Sequence, residues 1–341
     1  MQFLLFKLLF PFLVCIAEAV STTTPKNSTI PAVFVFGDSV VDTGNNNYIE
    51  TVVKVNYPPY GKDFIGGRPT GRFCDGKVPS DLIAYLDPTL HAQDLLTGVN
   101  FASGGAGYDP LTSNLVSVLS LSDQLRMFKD YTMKLELIAG HERTLTISQE
   151  GLFIVVAGSN DITNTYFGTP LRKSHYDVSS YTDLLVAYAS NFVQELYKLG
   201  ARRIGVFGLP PLGCLPSQRT LKGGAERKCV DIYNQVAVLF NNKLSAELDS
   251  INARYPEARL VYIDIYNLPL DLILSPHKYG FKISDKGCCG TGTIEVAFLC
   301  KYTCSDVSDY VFWDSFHLTE KAYSLLVHQI LKKSIRELLR L

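Results

Sequence analysis

The side chains of this sequence best suited to nucleophilic chemistry are Ser39, Asp314 and His317. Ser39 lies in Phe36-Gly-Asp-Ser-Val40, directly after the apolar run Ala32-Val-Phe-Val-Phe36. A run of that length without polar alternation suits a parallel strand covered on both faces, and Gly37 ends it. A serine just past a strand's carboxyl end sits where open α/β sheets bind ligands and where backbone N–H groups are free to point at a substrate, so an alkoxide could form there. Taken alone, Gly-Asp-Ser reads equally well as a helix cap or turn. Asp314 and His317 stand three apart in Val311-Phe-Trp-Asp-Ser-Phe-His-Leu318. In a turn or a first helical turn that spacing puts both side chains on one side. The carboxylate then fixes the imidazole tautomer that leaves the other ring nitrogen facing a serine. A lone Asp-x-x-His also occurs in surface turns, but His91, His141, His175, His277 and His328 have no comparable setting.

Two further stretches place backbone or amide donors at strand ends. Gly98-Val-Asn-Phe-Ala-Ser-Gly-Gly-Ala-Gly107 reads as a short strand running into a glycine-rich turn, whose missing side chains let backbone N–H groups approach a ligand closely. A phosphate loop is the competing reading, against which no Gly-Lys-Ser/Thr follows. Leu152-Phe-Ile-Val-Val-Ala157 is the most apolar strand signal of the chain and ends in Gly158-Ser-Asn-Asp161.

The scaffold for these turns follows from the alternation of patterns. Strands are expected at Ala32 to Phe36, from Gly98, at Leu152 to Ala157, at Arg203 to Leu209 before Pro210-Pro211, and at Leu260 to Ile265. Helices are expected at Pro79 to Tyr85, at Leu115 to Tyr131 with a break near Ser120 to Ser122, and at Tyr181 to Leu199 with a terminating Gly200. Further helices fall at Tyr233 to Ile251 and Glu320 to Leu341. Such alternation makes a parallel sheet wrapped on both faces. The 341 residues, 47% of them hydrophobic, can bury one large α/β core, so a single domain over residues 31–341 is expected. Residues 42–76 are a long loop rich in Gly, Pro, Asn and aromatics; together with 277–310 they are expected to shape a pocket.

Net charge is −1, with 32 Lys and Arg against 33 Asp and Glu, which leaves no basic face for nucleic acid. Lys7, the apolar run Leu8 to Ile16 and the small-x-small Ala17-Glu-Ala19 read as a secretory signal over residues 1–19. The run falls short of the roughly 20 residues a membrane anchor needs. A polar tail, 20–30, would follow, carrying the glycosylation sequon Asn27-Ser-Thr29. Loss of Cys15 leaves cysteines 74, 214, 229, 288, 289, 300 and 304, an odd number in an oxidising compartment. A Cys214–Cys229 pair and two bridges within the later cluster are expected, with Cys74 left over. A zinc site in the later cluster is disfavoured because adjacent Cys288 and Cys289 lack the usual two-residue gap.

Gly-Asp-Ser, the glycine-rich turn, Gly-Ser-Asn-Asp and Asp-x-x-His in this order resemble the SGNH, or GDSL, hydrolase superfamily, and closely the secreted plant GDSL esterase/lipases. The resemblance runs from about Pro31 to Arg336. Tyr108-Asp-Pro-Leu-Thr112, Ser120-Leu-Ser-Asp-Gln-Leu125 and Gly287-Cys-Cys-Gly-Thr-Gly292 look like the extracellular lipases of anther and pollen coat. It implies a flavodoxin-like, three-layer α/β/α fold around a five-stranded parallel sheet, and a secreted, extracellular carboxylic ester hydrolase acting on acyl esters or lipids. It also implies Ser39 as nucleophile, His317 as base and Asp314 as its partner. The oxyanion would be held by the N–H of Ser39, the N–H of Gly104, with Gly105 as its neighbouring alternative, and the amide of Asn160. No cofactor or metal is implied. Leu318 replaces the proline of many plant members and Cys74 a common serine, and neither change touches the catalytic set. An extracellular acyltransferase with the same site, and a silent lipid-binding member, are the competing functions. The absence of Gly-x-Ser-x-Gly argues against an α/β-hydrolase, and that of His-Glu-x-x-His against a zincin.

Overall fold

The computed structural model describes residues 30–81, 91–334 and 337–338. Its centre is a parallel sheet ordered β1 (Val33–Gly37), β2 (Leu152–Val156), β3 (Arg203–Phe207) and β4 (Arg259–Ile263). A small parallel pair, β5 (Ile283–Gly287) and β6 (Tyr310–Phe312), stands apart from it. The α-helices among the described residues are, in chain order, α1 (Pro110–Leu115), α2 (Leu121–Ala139), α3 (His141–Glu150), α4 (Pro170–Lys173), α5 (Val178–Lys198), α6 (Pro216–Lys222), α7 (Asp231–Arg254), α8 (Asn267–Leu274) and α9 (Glu320–Lys333).

The lack of polar alternation in β1 has the expected cause. Phe34 and Phe36 enter one core with Phe128 of α2, Phe153 of β2 and Phe192 of α5, while Val35 enters another with Leu152, Phe207, Ile263 and Leu326 of α9. Both faces are therefore apolar, and the layers are α/β/α. The break expected near Ser120 separates α1 from α2, where Ser120 and Asp123 form a reciprocal cap. Gly200, at φ +104°, follows the end of α5 as expected.

The fifth strand is the first difference. Residues 99–103 occupy the outer flank of β1, with Phe101 N–H donating to Val35 O at 2.8 Å and Ser103 N–H to Gly37 O at 3.0 Å, but only Val35 and Asn100 form a bridge. Side chains explain the irregularity. Asn100 Oδ1 takes the Ala102 N–H at 2.8 Å, bending the segment, and Asn45 Nδ2 caps the outward carbonyls of Asn100 and Ala102 at 2.9 and 2.8 Å. The sheet edge is thus closed by a side chain instead of another strand. The short helices α3 and α8 and the β5–β6 pair had no expected counterpart.

Cysteines pair as 214–229, 288–304 and 289–300, with Cys74 free and buried. The four late cysteines are thereby committed to disulfides, which removes the thiolates a zinc reading needs. The signal segment, the Asn27 sequon and residues 82–85 of the expected helix at Pro79 to Tyr85 lie outside the described residues, and residues 79–81 form a turn. Among the described residues no helix is long and apolar enough to cross a membrane.

Candidate active site

β1 delivers Ser39 through a turn that only glycine permits. Gly37 has φ +138°, and a Cβ there would run into the Val156 carbonyl of the neighbouring strand. Gln124 of α2 then clamps both backbone groups of Gly37, accepting its N–H at 2.8 Å and donating to its carbonyl at 2.9 Å. Asp38 accepts the Val40 N–H at 3.0 Å, and burial pushes its carboxyl up to about 7. The Ser39 N–H has no hydrogen-bond partner among the described residues.

His317 arrives from β6. Trp313 N–H donates to His317 O at 2.8 Å and closes a tight loop whose two arms meet again at Phe312 and Leu318. Inside it, Asp314 Oδ1 accepts the N–H groups of Phe316 at 2.8 Å and His317 at 2.7 Å. The three-residue spacing therefore works through an Asx-type turn and not through a helix. The same carboxylate meets His317 Nδ1 at 2.9 Å from Oδ1 and 2.8 Å from Oδ2, and His317 Nε2 lies 2.8 Å from Ser39 Oγ. A carboxylate on Nδ1 assigns the proton there, leaving Nε2 to accept from the serine hydroxyl. Asp314 is wholly buried and its Oδ2 also accepts a hydrogen bond from Tyr60 at 2.9 Å.

The donor loops close the other side. Gly104, the expected donor, has its N–H committed to Asp42 Oδ2 at 2.9 Å and its carbonyl to Asn46 Nδ2 at 2.9 Å. The next residue, Gly105, lines the cleft with Ser39, Asn160 and His317, and its N–H has no partner among the described residues. Of the two glycines the structure thus leaves Gly105 free, because Asp42 consumes the amide of Gly104. Asp42 also accepts the N–H groups of Gly44 and Asn45, at 2.7 and 2.9 Å, and burial pushes it up to about 6. Asn160 precedes a π-helical turn, Asp161–Tyr166. Its Oδ1 is held by Asn164 Nδ2 at 2.9 Å and one Nδ2 proton by Ala106 O at 2.9 Å, so one amide proton remains for a ligand. Asp161 ties this turn to the glycine loop, accepting the N–H groups of Tyr108 and Asp109 at 2.8 and 3.0 Å and the Thr112 hydroxyl at 2.6 Å.

Ser39, His317, Asn160 and Gly105 share a cleft of about 240 Å³ walled by Val52, Val53, Phe73, Val116, Phe316 and the segment Val296, Ala297, Phe298, Leu299. Both long loops singled out in the sequence contribute to it. Gln124, Asp42 and Tyr60 were not foreseen. For Asp42 the signal was present, since Asp-Thr-Gly-Asn-Asn-Asn47 clusters side chains that bind local backbone. For Gln124 and Tyr60, distant in sequence from what they hold, there was none.

The profile of the GDSL-like lipase/acylhydrolase family matches residues 33–330. GDSL esterase/lipase EXL3 of Arabidopsis thaliana is 53% identical over 328 residues, covering 92% of this chain and 90% of that protein. GDSL esterase/lipase EXL2 of the same plant is 50% identical over 340 residues, covering 91% and 90%. The chain belongs to the GDSL-like lipase/acylhydrolase family of carboxylic ester hydrolases.

Proposed function

We propose that the chain is a secreted serine esterase/lipase that cleaves acyl lipid esters through an acyl-enzyme on Ser39. The observation that carries this is the unbroken chain Ser39 Oγ, His317 Nε2, His317 Nδ1, Asp314, ending at an apolar cleft. His317 takes the Ser39 proton as Oγ attacks the ester carbonyl, then gives it to the departing alcohol. The oxyanion is held by the Ser39 N–H, the Gly105 N–H and the second amide proton of Asn160, three residues that line the same cleft. Water then attacks the acyl carbon as His317 takes its proton, and His317 returns that proton to Ser39 Oγ as the C–Oγ bond breaks and the acid leaves. Cleft walls dominated by valine, alanine, leucine and phenylalanine, with Asn164 the one polar side chain lining it beside Ser39, Asn160 and His317, favour an acyl chain over a sugar. Secretion is supported by Leu8 to Ile16 with Ala17-Glu-Ala19 and by the three disulfides.

The test is hydrolysis of p-nitrophenyl esters from acetate to palmitate by the secreted protein and by Ser39→Ala. Turnover that depends on Ser39 and rises with chain length is expected. Absence of turnover from folded wild-type protein would overturn the esterase, and an optimum at acetate would overturn the lipid substrate.

A further inference from the structure

Besides His317 itself, Tyr60 touches both the Asp314 carboxylate and the segment that walls the cleft. It is 1% exposed. Its hydroxyl lies 2.9 Å from Asp314 Oδ2 and 2.8 Å from the backbone nitrogen of Ala297. The direction of this relay is fixed by chemistry: an amide only donates and a carboxylate only accepts, so the single phenolic proton points at Asp314 and the Ala297 N–H points at the phenolic oxygen. The ring is seated edge-on against Trp313 at 5.8 Å and Phe73 at 6.4 Å. Ala297 holds φ +49°, a region a residue with a Cβ adopts only when its surroundings enforce it. Its surroundings are the bridges Cys289–Cys300 and Cys288–Cys304, which bracket Val296 to Leu299 in the cleft wall.

We propose that Tyr60 is a positioning residue for the Asp314–His317 pair, coupling the disulfide-stapled wall of the cleft to the basicity of the imidazole. The proposal rests on His317 being the base. Asp314 Oδ1 is fixed by two backbone amides, whereas among the described residues Oδ2 has, besides His317 Nδ1 itself, Tyr60 to hold it in the plane that faces the imidazole. A phenol hydrogen-bonded to a carboxylate also draws charge away from it. The carboxylate then stabilises the imidazolium less. Removing the hydroxyl frees the carboxylate to turn and leaves it more charge.

The titratable groups around this relay come from three places: the loop 42–76, α9 and the end of β1. Tyr57 flanks Tyr60 from the same loop; Tyr323 of α9 faces Asp314 with Cys74 beside it; Asp75 bonds Cys74; and Asp38, with Asp42 behind it, faces His317 from the end of β1. Burial keeps Tyr323 and Cys74 protonated and pushes Tyr57 up to about 12. Asp38, Asp42 and Asp75 are raised toward neutrality by burial, and all three are present in each of the proteins to be compared.

The test compares Tyr60→Phe with wild type by two readouts. Without substrate, nitrogen NMR of labelled protein follows the His317 imidazole through its titration. Tyr60→Phe is expected to raise that titration by about one pH unit. With a p-nitrophenyl ester, the acid limb of kcat/KM moves up by the same amount, and kcat falls about 10- to 100-fold with KM within about twofold. Incorporating 3-fluorotyrosine at position 60 keeps the ring and strengthens the donor, so it moves the titration the opposite way; it decides the matter if Tyr60→Phe does not fold. An unchanged His317 titration in these proteins overturns the relay and leaves Tyr60 as packing. Absence of Ser39-dependent turnover in wild type would overturn the esterase reading instead, and the NMR titration would still decide the relay.

Discussion

The serine and the histidine of the site are held by opposite kinds of structure. Ser39 follows a strand inside the main sheet, between β2 and the flanking residues 99–103, and the turns beside it are locked by the buried carboxylates Asp42 and Asp161 accepting backbone amides. His317 rides on a loop outside that sheet, at the end of the two-stranded β5–β6 pair, beside two disulfides and on a tether to Tyr60. Sheet ends supply fixed backbone donors at no side-chain entropy cost. A loop of 22 residues between β5 and β6, residues 288–309, must be ordered by other means, and bridges that restrict the unfolded chain are one.

That contrast is sharpest in the chemistry. Asp314→Asn is expected to lower kcat by about 10⁴, since an amide turned toward Nδ1 favours the wrong tautomer, with circular dichroism unchanged. Asn160→Ala should lower it by about 10² to 10³, because the Ser39 and Gly105 amides remain in place. Equal losses in single-turnover kinetics would break the comparison, placing both residues in one inseparable unit. Next in size is the double variant Cys289→Ala/Cys300→Ala. Opening a bridge of sequence separation 11 should cost about 3 kcal/mol. Amide exchange is expected to quicken most across residues 289–304 and less in β1 and β2. The same loss in both would mean that the two regions open together.

The serine side was legible in the sequence because its determinants are local. The apolar strand, Gly37 and Ser39 are consecutive, and Gly158-Ser-Asn-Asp161 follows its strand in the same way. Asp314 and His317 were legible for a similar reason, both lying within one turn. What escaped was built by contact across distance: Gln124 on Gly37, Asp42 on Gly104 and Tyr60 on Asp314. The choice between Gly104 and Gly105 turned on such a contact, since nothing in adjacent glycines says which amide a distant carboxylate will take. The irregular fifth strand had the same origin, in Asn45 capping the carbonyls of Asn100 and Ala102. Both missing strands, β5 and β6, are short, and β5, Ile-Ser-Asp-Lys-Gly, carries almost no apolar pattern.

The smallest effect separates the two sides by pH. Burial raises Asp38 and Asp161 to about 7 and Asp42 to about 6, against an ordinary 3.8. These folded carboxyls keep protons that the unfolded chain has released. Their stabilising contribution is therefore complete below about pH 4 and lost as pH rises toward 7. Glu295, beside the cleft wall, behaves in the opposite sense. Burial opposes its charge, but bonds from the Thr291 amide and hydroxyl and from the amides of Thr293 and Ile294 outweigh that and hold it at about 2, against 4.5. Its contribution is present above pH 4.5 and lost as pH falls toward 2. Amide exchange, corrected for its intrinsic pH dependence, should thus loosen residues 100–109 between pH 4 and 7 while residues 291–297 hold steady, and loosen 291–297 below pH 4. Glu295→Gln should abolish the acid-side step in 291–297 and leave the slope in 100–109 alone. A slope in 100–109 that flattens with Glu295→Gln would show that the serine and histidine sides share one stability, and would remove the distinction between them.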